Sequence, residues 1–223
     1  MIEALVMNTN EETYLDLMHE LEAERDWRVA ELSKIKLLFR EIKQIDINEY
    51  MNVYLKMTVP MVYAHWEGYC VASFKIIMDY INRKEMGAQL VDYNILTYAN
   101  NKTYDKLKGK SNFAQRVEFS KEFIQILNGR IRIVGKLDTK SNLNYKVLQE
   151  ILQIFKMNEE GVEQYESELN SLVNIRNAIA HGENSRMIDT DKMNRNIELV
   201  TNLIDIMLLK EVQYIQDESY LLD

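Results

Sequence analysis

Met61-Val-Tyr-Ala-His-Trp-Glu-Gly-Tyr-Cys-Val-Ala72 carries apolar side chains on nearly every side of a helix. A helix that is hydrophobic all round belongs at the centre of an assembly, not on its surface. Only His65 and Glu67 break the pattern. The stretch lies in a longer run rich in Met, Val, Tyr, Ile and Phe, so one helix is expected from about residue 49 to 83. Pro60 either kinks it or marks its start. Upstream, Thr9 with Glu12 forms a capping-box pattern that opens another helix. Its seam is Tyr14, Met18 and Leu21, then Leu32, Ile35, Phe39 and Ile42, spaced by threes and fours. Arg25 and Arg28 interrupt that seam, which argues against a straight coiled coil, and Asp46 to Asn48 reads as a break. Downstream, helices are expected over about 144–156 and 161–181, the second closed by Gly182 as a left-handed cap. A last helix opens near Asp189 or Thr190, with Met193, Ile197, Val200, Ile204 and Leu208 on one stripe.

Between these halves, residues 84–141 are less regular. Leu90–Tyr98 and Ile131–Val134 read as short strands that could form a small β-hairpin, and Phe113–Leu127 as a helix. The expected fold is therefore all-α, an antiparallel helical bundle formed by residues 1–223 as a single domain, with an inserted segment at about 84–141.

Composition points the same way. Seven Gly and 1 Pro in 223 residues favour long helices over turn-rich sheets. The single cysteine, Cys70, excludes a disulfide framework and a cysteine-based zinc site within the chain. The first residues lack the basic region and apolar run of a signal peptide, and no run approaches the roughly 20 apolar residues that span a bilayer. A cytoplasmic protein with no membrane partner is expected. The formal charge of -8 at first argues against nucleic acid, whose phosphates attract positive surfaces. From Lys102 to Lys146, however, 11 Lys and Arg face 4 acidic residues, a local +7 that leaves -15 for the remainder. Lys106, Lys108 and Lys110 are candidate contacts to an RNA backbone, with an ordinary solvated surface as the plainer reading.

Most enzyme chemistries find no support. His19, His65 and His181 lack metal-ligand spacing, so no metal site is expected. Gly129–Lys136 has five residues rather than four between its glycines, and Leu137 stands where the Ser or Thr of a phosphate loop should hold magnesium. No cofactor motif is present. What remains is Leu172-Val-Asn-Ile-Arg-Asn-Ala-Ile-Ala-His-Gly182. At roughly 100° per residue, Arg176 falls in the middle of an apolar arc formed by Tyr165, Leu169, Leu172, Val173, Ile175, Ile179 and Ala180. A guanidinium there needs a carboxylate, a phosphate or a partner surface. Asn177 and His181 are four apart on the neighbouring face, and the helix dipole favours positive charge at that end. Arginine to bind a phosphate, histidine to move a proton and an amide to orient one of them suit a phosphodiester site. A purely structural reading, with a buried ion pair and a histidine cap, stands beside it.

Arg176-Asn-Ala-Ile-Ala-His181-Gly182 resembles the signature of HEPN domains, an Arg followed by four to six residues and a His, commonly with Asn after the Arg. Ala64-His-Trp-Glu-Gly68 resembles a segment of a prokaryotic HEPN nuclease subfamily. The resemblance implies a helical, typically dimeric protein, often a metal-independent ribonuclease that acts as a toxin or anti-phage effector under the control of an antitoxin or defence partner. Its two motif helices would meet across the dimer in one composite site. It also implies that Arg176 binds the scissile phosphate, that His181 transfers a proton as the RNA 2′-hydroxyl attacks, and that Asn177 holds the geometry. Glu67, on the adjacent helix, is added here as a natural partner for Arg176, with His65 in support; a buried polar pair is the competing account. One departure is Glu183, where HEPN toxins paired with nucleotidyltransferase antitoxins carry a Tyr. The alternative to the enzyme is a non-catalytic HEPN module that binds RNA, nucleotide or a partner protein.

Overall fold

The computed structural model describes residues 2–44, 48–108, 112–183 and 188–222, with side chains described from Tyr14 to Glu41 and from Met51 onward within those spans. Among them are eight α-helices and no sheet. Three are long: α1 (Ile2–Gln44), α2 (Asn48–Arg83) and, in chain order the last, α8 (Thr190–Gln216). Between them come α3 (Tyr93–Ala99), α4 (Asn101–Asp105), α5 (Phe113–Leu127), α6 (Tyr145–Ile154) and α7 (Glu166–Ala180). The long helices pack on one another, and α7 lies against α2 and α8. No helix of the described residues is long and apolar enough to cross a membrane.

The packing follows the sequence periodicity. Leu17, Leu21, Leu32, Ile35 and Phe39 of α1 are buried against Leu55, Val59, Val62, Trp66, Phe74 and Ile81 of α2 and Met193, Ile197, Val200, Ile204 and Met207 of α8, all in one core. Each fully buried side chain of this size contributes about 1.5–3 kcal/mol relative to exposure. The helix α2 runs unbroken through Pro60, so that residue is not its start. Side-chain oxygens accept from backbone N–H groups at four starts: Asp92 for α3, Asn112 for α5, Asn144 for α6 and Asp189 for α8. At the end of α7, Gly182 (φ 75°) takes the left-handed conformation, its N–H reaching the carbonyl of Ile179 while Glu183 N–H reaches that of Ala178. This is the Schellman closure that the glycine led one to expect.

Glu211 and Arg28 are among the polar residues buried between the long helices. The carboxyl of Glu211 on α8 accepts from the hydroxyls of Tyr69 (2.8 Å) and Ser73 (2.6 Å) on α2. Burial pushes it up to about 8, so it is mostly protonated at neutral pH. Arg28 continues the apolar seam of α1 as a buried residue. Its guanidinium donates to the carbonyl of Glu24 (2.7 Å) and to the Glu24 carboxylate, and lies 4.2 Å from the Trp27 ring centroid. A Cβ on Gly68 would stand 3.4 Å from Arg28 Nη2, so the missing side chain gives the guanidinium its room against α2.

Several expectations are corrected. The first helix begins by Ile2, not Thr9; the side chains of Thr9, Glu12 and Ile42 lie outside the described ones. Leu90–Tyr98 is no strand: a 3-10 turn, Ala88–Leu90, is followed by α3. Asp92 decides this by accepting from Asn94 N–H at 2.8 Å, a local bond that starts a helix and competes with strand pairing. Ile131–Val134 is no strand either: Ile133 bonds through both its N–H and its carbonyl to the Asn82 side chain of α2. A side-chain amide thus replaces the partner strand, and the β-hairpin is absent from the described residues. The helix expected over 161–181 starts later, after a 3-10 turn at Glu163–Tyr165, and ends at Ala180.

Candidate active site

The site is built where α7 and the loop 139–143 meet the middle of α2. Tyr63 and Glu67 stand one turn apart on α2, about 40° apart around its axis. The Tyr63 ring carries the Arg176 guanidinium, whose Cζ lies 4.0 Å from the ring centroid. This is cation–π geometry on a buried ring. Arg176 donates from Nη1 to Asn177 Oδ1 (2.9 Å) and from Nη2 to the Ser141 carbonyl (2.8 Å). Asn177 in turn donates from Nδ2 to Asn142 Oδ1 (3.0 Å). Tyr63 is tied into the same loop, since its hydroxyl accepts from Leu143 N–H at 2.7 Å. Burial pushes that hydroxyl up to about 12, so it remains neutral.

The cation of Arg176 is therefore oriented by neutral groups. No carboxylate among the described residues pairs with it, and its Nε is buried without a partner. Glu67, expected to be that partner, accepts instead from the Thr139 hydroxyl at 2.7 Å. It lies close enough to act on Tyr63 electrostatically, so it belongs to the site's surroundings without neutralising the guanidinium. His65 is about 200° around α2 from Tyr63 and faces α1. It is buried beside Trp27 (5.5 Å between ring centroids), with Glu31 3.7 Å away. Burial lowers its pKa. The structure does not bring His65 to Arg176.

His181 is the C-cap of α7, with its backbone N–H on the Asn177 carbonyl (3.0 Å) and its side chain exposed. Arg176 and Asn177 are half-buried beside it, so the three motif residues run from a packed platform to solvent at one helix end. No group of three or more His, Cys, Asp or Glu side chains among the described residues is placed to hold a metal ion.

A family model described as RiboL-PSP-HEPN matches residues 23–208. The chain belongs to the RiboL-PSP-HEPN family. The match runs from inside α1 to inside α8 and so includes α2 and α7 with the whole site. HEPN domains are often ribonucleases or nucleotide-binding modules, and they commonly act on RNA and dimerise. Neither a curated protein nor a solved structure matches the chain.

In this HEPN protein the sequence reading missed Tyr63, Ser141 and Asn142. Nothing in local spacing links residue 63 to residues 141–142. The one available signal was the unexplained need of Arg176 for a companion, and an aromatic face on the neighbouring helix meets it. The candidate RNA contacts are also modified by their neighbours. Lys106 pairs with Glu122 and Lys108 with Asp105, both at the surface, and Lys110 lies outside the described residues. Such exposed pairs are weak, about 0–1 kcal/mol, and yield readily to a phosphate. Ile131, Ile133, Leu137 and Thr139 are buried along the irregular segment that leads to the site, while Arg132, Lys136 and Lys140 are exposed.

Proposed function

We propose that this protein is a metal-independent endoribonuclease of the toxin or anti-phage defence type, working at a composite site shared by two copies of the chain. The single observation that carries this reading is the Arg176 cation: half-exposed, placed over the Tyr63 ring, and bonded to neutral acceptors beside the helix end that bears His181. A guanidinium so held has N–H donors to spare and a charge that a phosphodiester would complement. Cleavage needs a base to take the 2′-hydroxyl proton, a cation on the non-bridging oxygens and an acid for the departing 5′-oxygen. As the O2′–P bond forms and the P–O5′ bond breaks, one His181 accepts the first proton, and the His181 of a second copy supplies the other. The products are a 2′,3′-cyclic phosphate and a 5′-hydroxyl. The RNA backbone would approach along the basic segment, over Arg132 and Lys136.

The test is cleavage of a labelled single-stranded RNA by wild-type protein and by His181→Ala, with and without EDTA. Wild type is expected to cut in EDTA and leave cyclic phosphate ends, and His181→Ala to lose a factor of about 10²–10⁴ in rate. Equal cutting by both proteins removes His181 from the mechanism. RNA binding without cleavage by wild type supports the non-catalytic module instead.

A further inference from the structure

The loop Thr139-Lys-Ser-Asn-Leu143 is tied to the site at every residue but one. Thr139 donates to Glu67, the Ser141 carbonyl accepts from Arg176, and Asn142 accepts from Asn177. Leu143 donates through its N–H to the Tyr63 hydroxyl and accepts through its carbonyl from Trp66 Nε1 (3.2 Å). Its partners thus come from the middle of α2 and from the two adjacent residues Arg176 and Asn177 of α7. Lys140 (φ 53°) and Ser141 (φ 51°) sit consecutively in the left-handed region, which side chains other than glycine seldom adopt. Neither residue is a glycine that would take this shape freely. Backbone held in such a conformation persists where surrounding contacts over-determine it, and it clusters at working sites.

We propose that Tyr63 and this loop form a clamp that sets the orientation of Arg176 and Asn177, with Tyr63 and Asn142 as positioning residues. The proposal rests on the ribonuclease reading of the site. The two parts of Tyr63 do different work. Its ring face fixes the plane of the guanidinium, and its hydroxyl fixes the loop that supplies the Ser141 carbonyl and the Asn142 side chain. A guanidinium has a fixed fork of donors, so holding one edge on Ser141 and Asn177 determines where the remaining donors point. Asn177, held by Asn142, cannot turn its amide without releasing Arg176.

The experiment compares Tyr63→Phe, Tyr63→Leu and Asn142→Ala in full-length protein, by RNA cleavage kinetics and by NMR of the Arg176 side chain. Tyr63→Leu removes the ring, and misplacement of a catalytic group costs up to about 10²-fold, so a fall of that order in kcat with little change in KM is expected. Tyr63→Phe keeps the ring but releases the Leu143 N–H, so a fall in kcat smaller than that of Tyr63→Leu is expected. The ring-current displacement of the Arg176 Cδ protons should persist in Tyr63→Phe and vanish in Tyr63→Leu. Asn142→Ala, at a half-buried position, should lower kcat and increase the mobility of the Asn177 amide. If Tyr63→Leu fails to fold, Asn142→Ala decides. Wild-type kcat and unchanged Arg176 and Asn177 signals in the folded variants overturn the clamp. Should wild type cut no RNA, the ribonuclease reading fails alone, because the NMR signals still test the clamp.

Discussion

Arg176 shows how one side chain can be placed by neutral chemistry and still keep its charge available. A lysine at this position would put a compact ammonium over the Tyr63 ring and lose the planar fork that reaches Ser141 and Asn177 together. On the proposed ribonuclease reading, Arg176→Ala is expected to abolish cleavage and Arg176→Lys to recover only a minor part of it, with both variants retaining the wild-type circular dichroism spectrum. RNA turnover measured beside thermal unfolding checks this. Full activity in Arg176→Lys would mean that charge alone suffices. The same residue also marks how far sequence reasoning reached. Its misfit on an apolar arc was visible, but the companion inferred for it, Glu67, was the wrong one. A carboxylate two residues from His65 was the natural candidate by charge, and the folded chain gives that carboxylate to Thr139.

Among the elements, α2 carries three unlike faces, and each performs a separate task. One face holds Tyr63 and Glu67 at the site, another places His65 and Gly68 against α1, and a third buries Tyr69 and Ser73 against Glu211 of α8. The last contact gives the long-helix core a pH dependence. The Glu211 carboxyl is raised in the folded chain to about 8, from 4.5. The folded state therefore holds a proton that the unfolded state releases. This contribution is complete below about pH 4.5, declines as pH rises and is gone by the time pH has passed through about 8. Glu211→Gln, which has no proton to lose, should flatten that decline. Urea midpoints measured from pH 5 to pH 9 for both proteins test it. Parallel curves would show that Glu211 does not govern the slope. His65 works in the opposite direction, because its lowered pKa favours the neutral form and its contribution is lost as pH falls below about 6.5.

For the whole molecule, the division of charge has a geometric meaning. The chain is -8 overall, yet its basic residues concentrate between 102 and 146. Part of that segment is the irregular stretch whose exposed residues include Arg132 and Lys136 and whose end is the loop on Arg176. If RNA follows this course, Arg132→Gln with Lys136→Gln should weaken binding. The slope of log K against log salt should then fall by about 0.7 for each phosphate that the variant no longer neutralises. Lys106→Gln with Lys108→Gln should lower the slope only to the extent that phosphate displaces their weak surface pairs with Glu122 and Asp105. Fluorescence anisotropy across a salt series distinguishes the pairs. An unchanged slope in both returns the segment to a solvated surface.

The long helices were legible because their information is local and periodic. The span Phe113–Leu127 matches residue for residue, the start of α6 follows from Asn144, and the end of α7 follows from Gly182. Caps and three-and-four spacing act within one turn, so sequence often reveals them, although Thr9 did not open α1 and the Asp92 cap of α3 was not read. The expectation of Arg176, Asn177 and His181 as one set rests on the same kind of local information, since all three stand within six residues at one helix end. Residues 90–98 and 131–134 were misread because short apolar runs are compatible with either strand or helix. The choice fell to Asp92 at a cap and to Asn82, 51 residues away from Ile133. Tertiary structure alone decided that Arg28 lies in the space left by Gly68, that Glu211 stays protonated between Tyr69 and Ser73, and that Tyr63 and Asn142 close on Arg176 and Asn177. Each of these depends on the packing of helices distant in sequence, and a side chain's partner across such a gap is set by the three-dimensional course of the backbone, which no local spacing encodes.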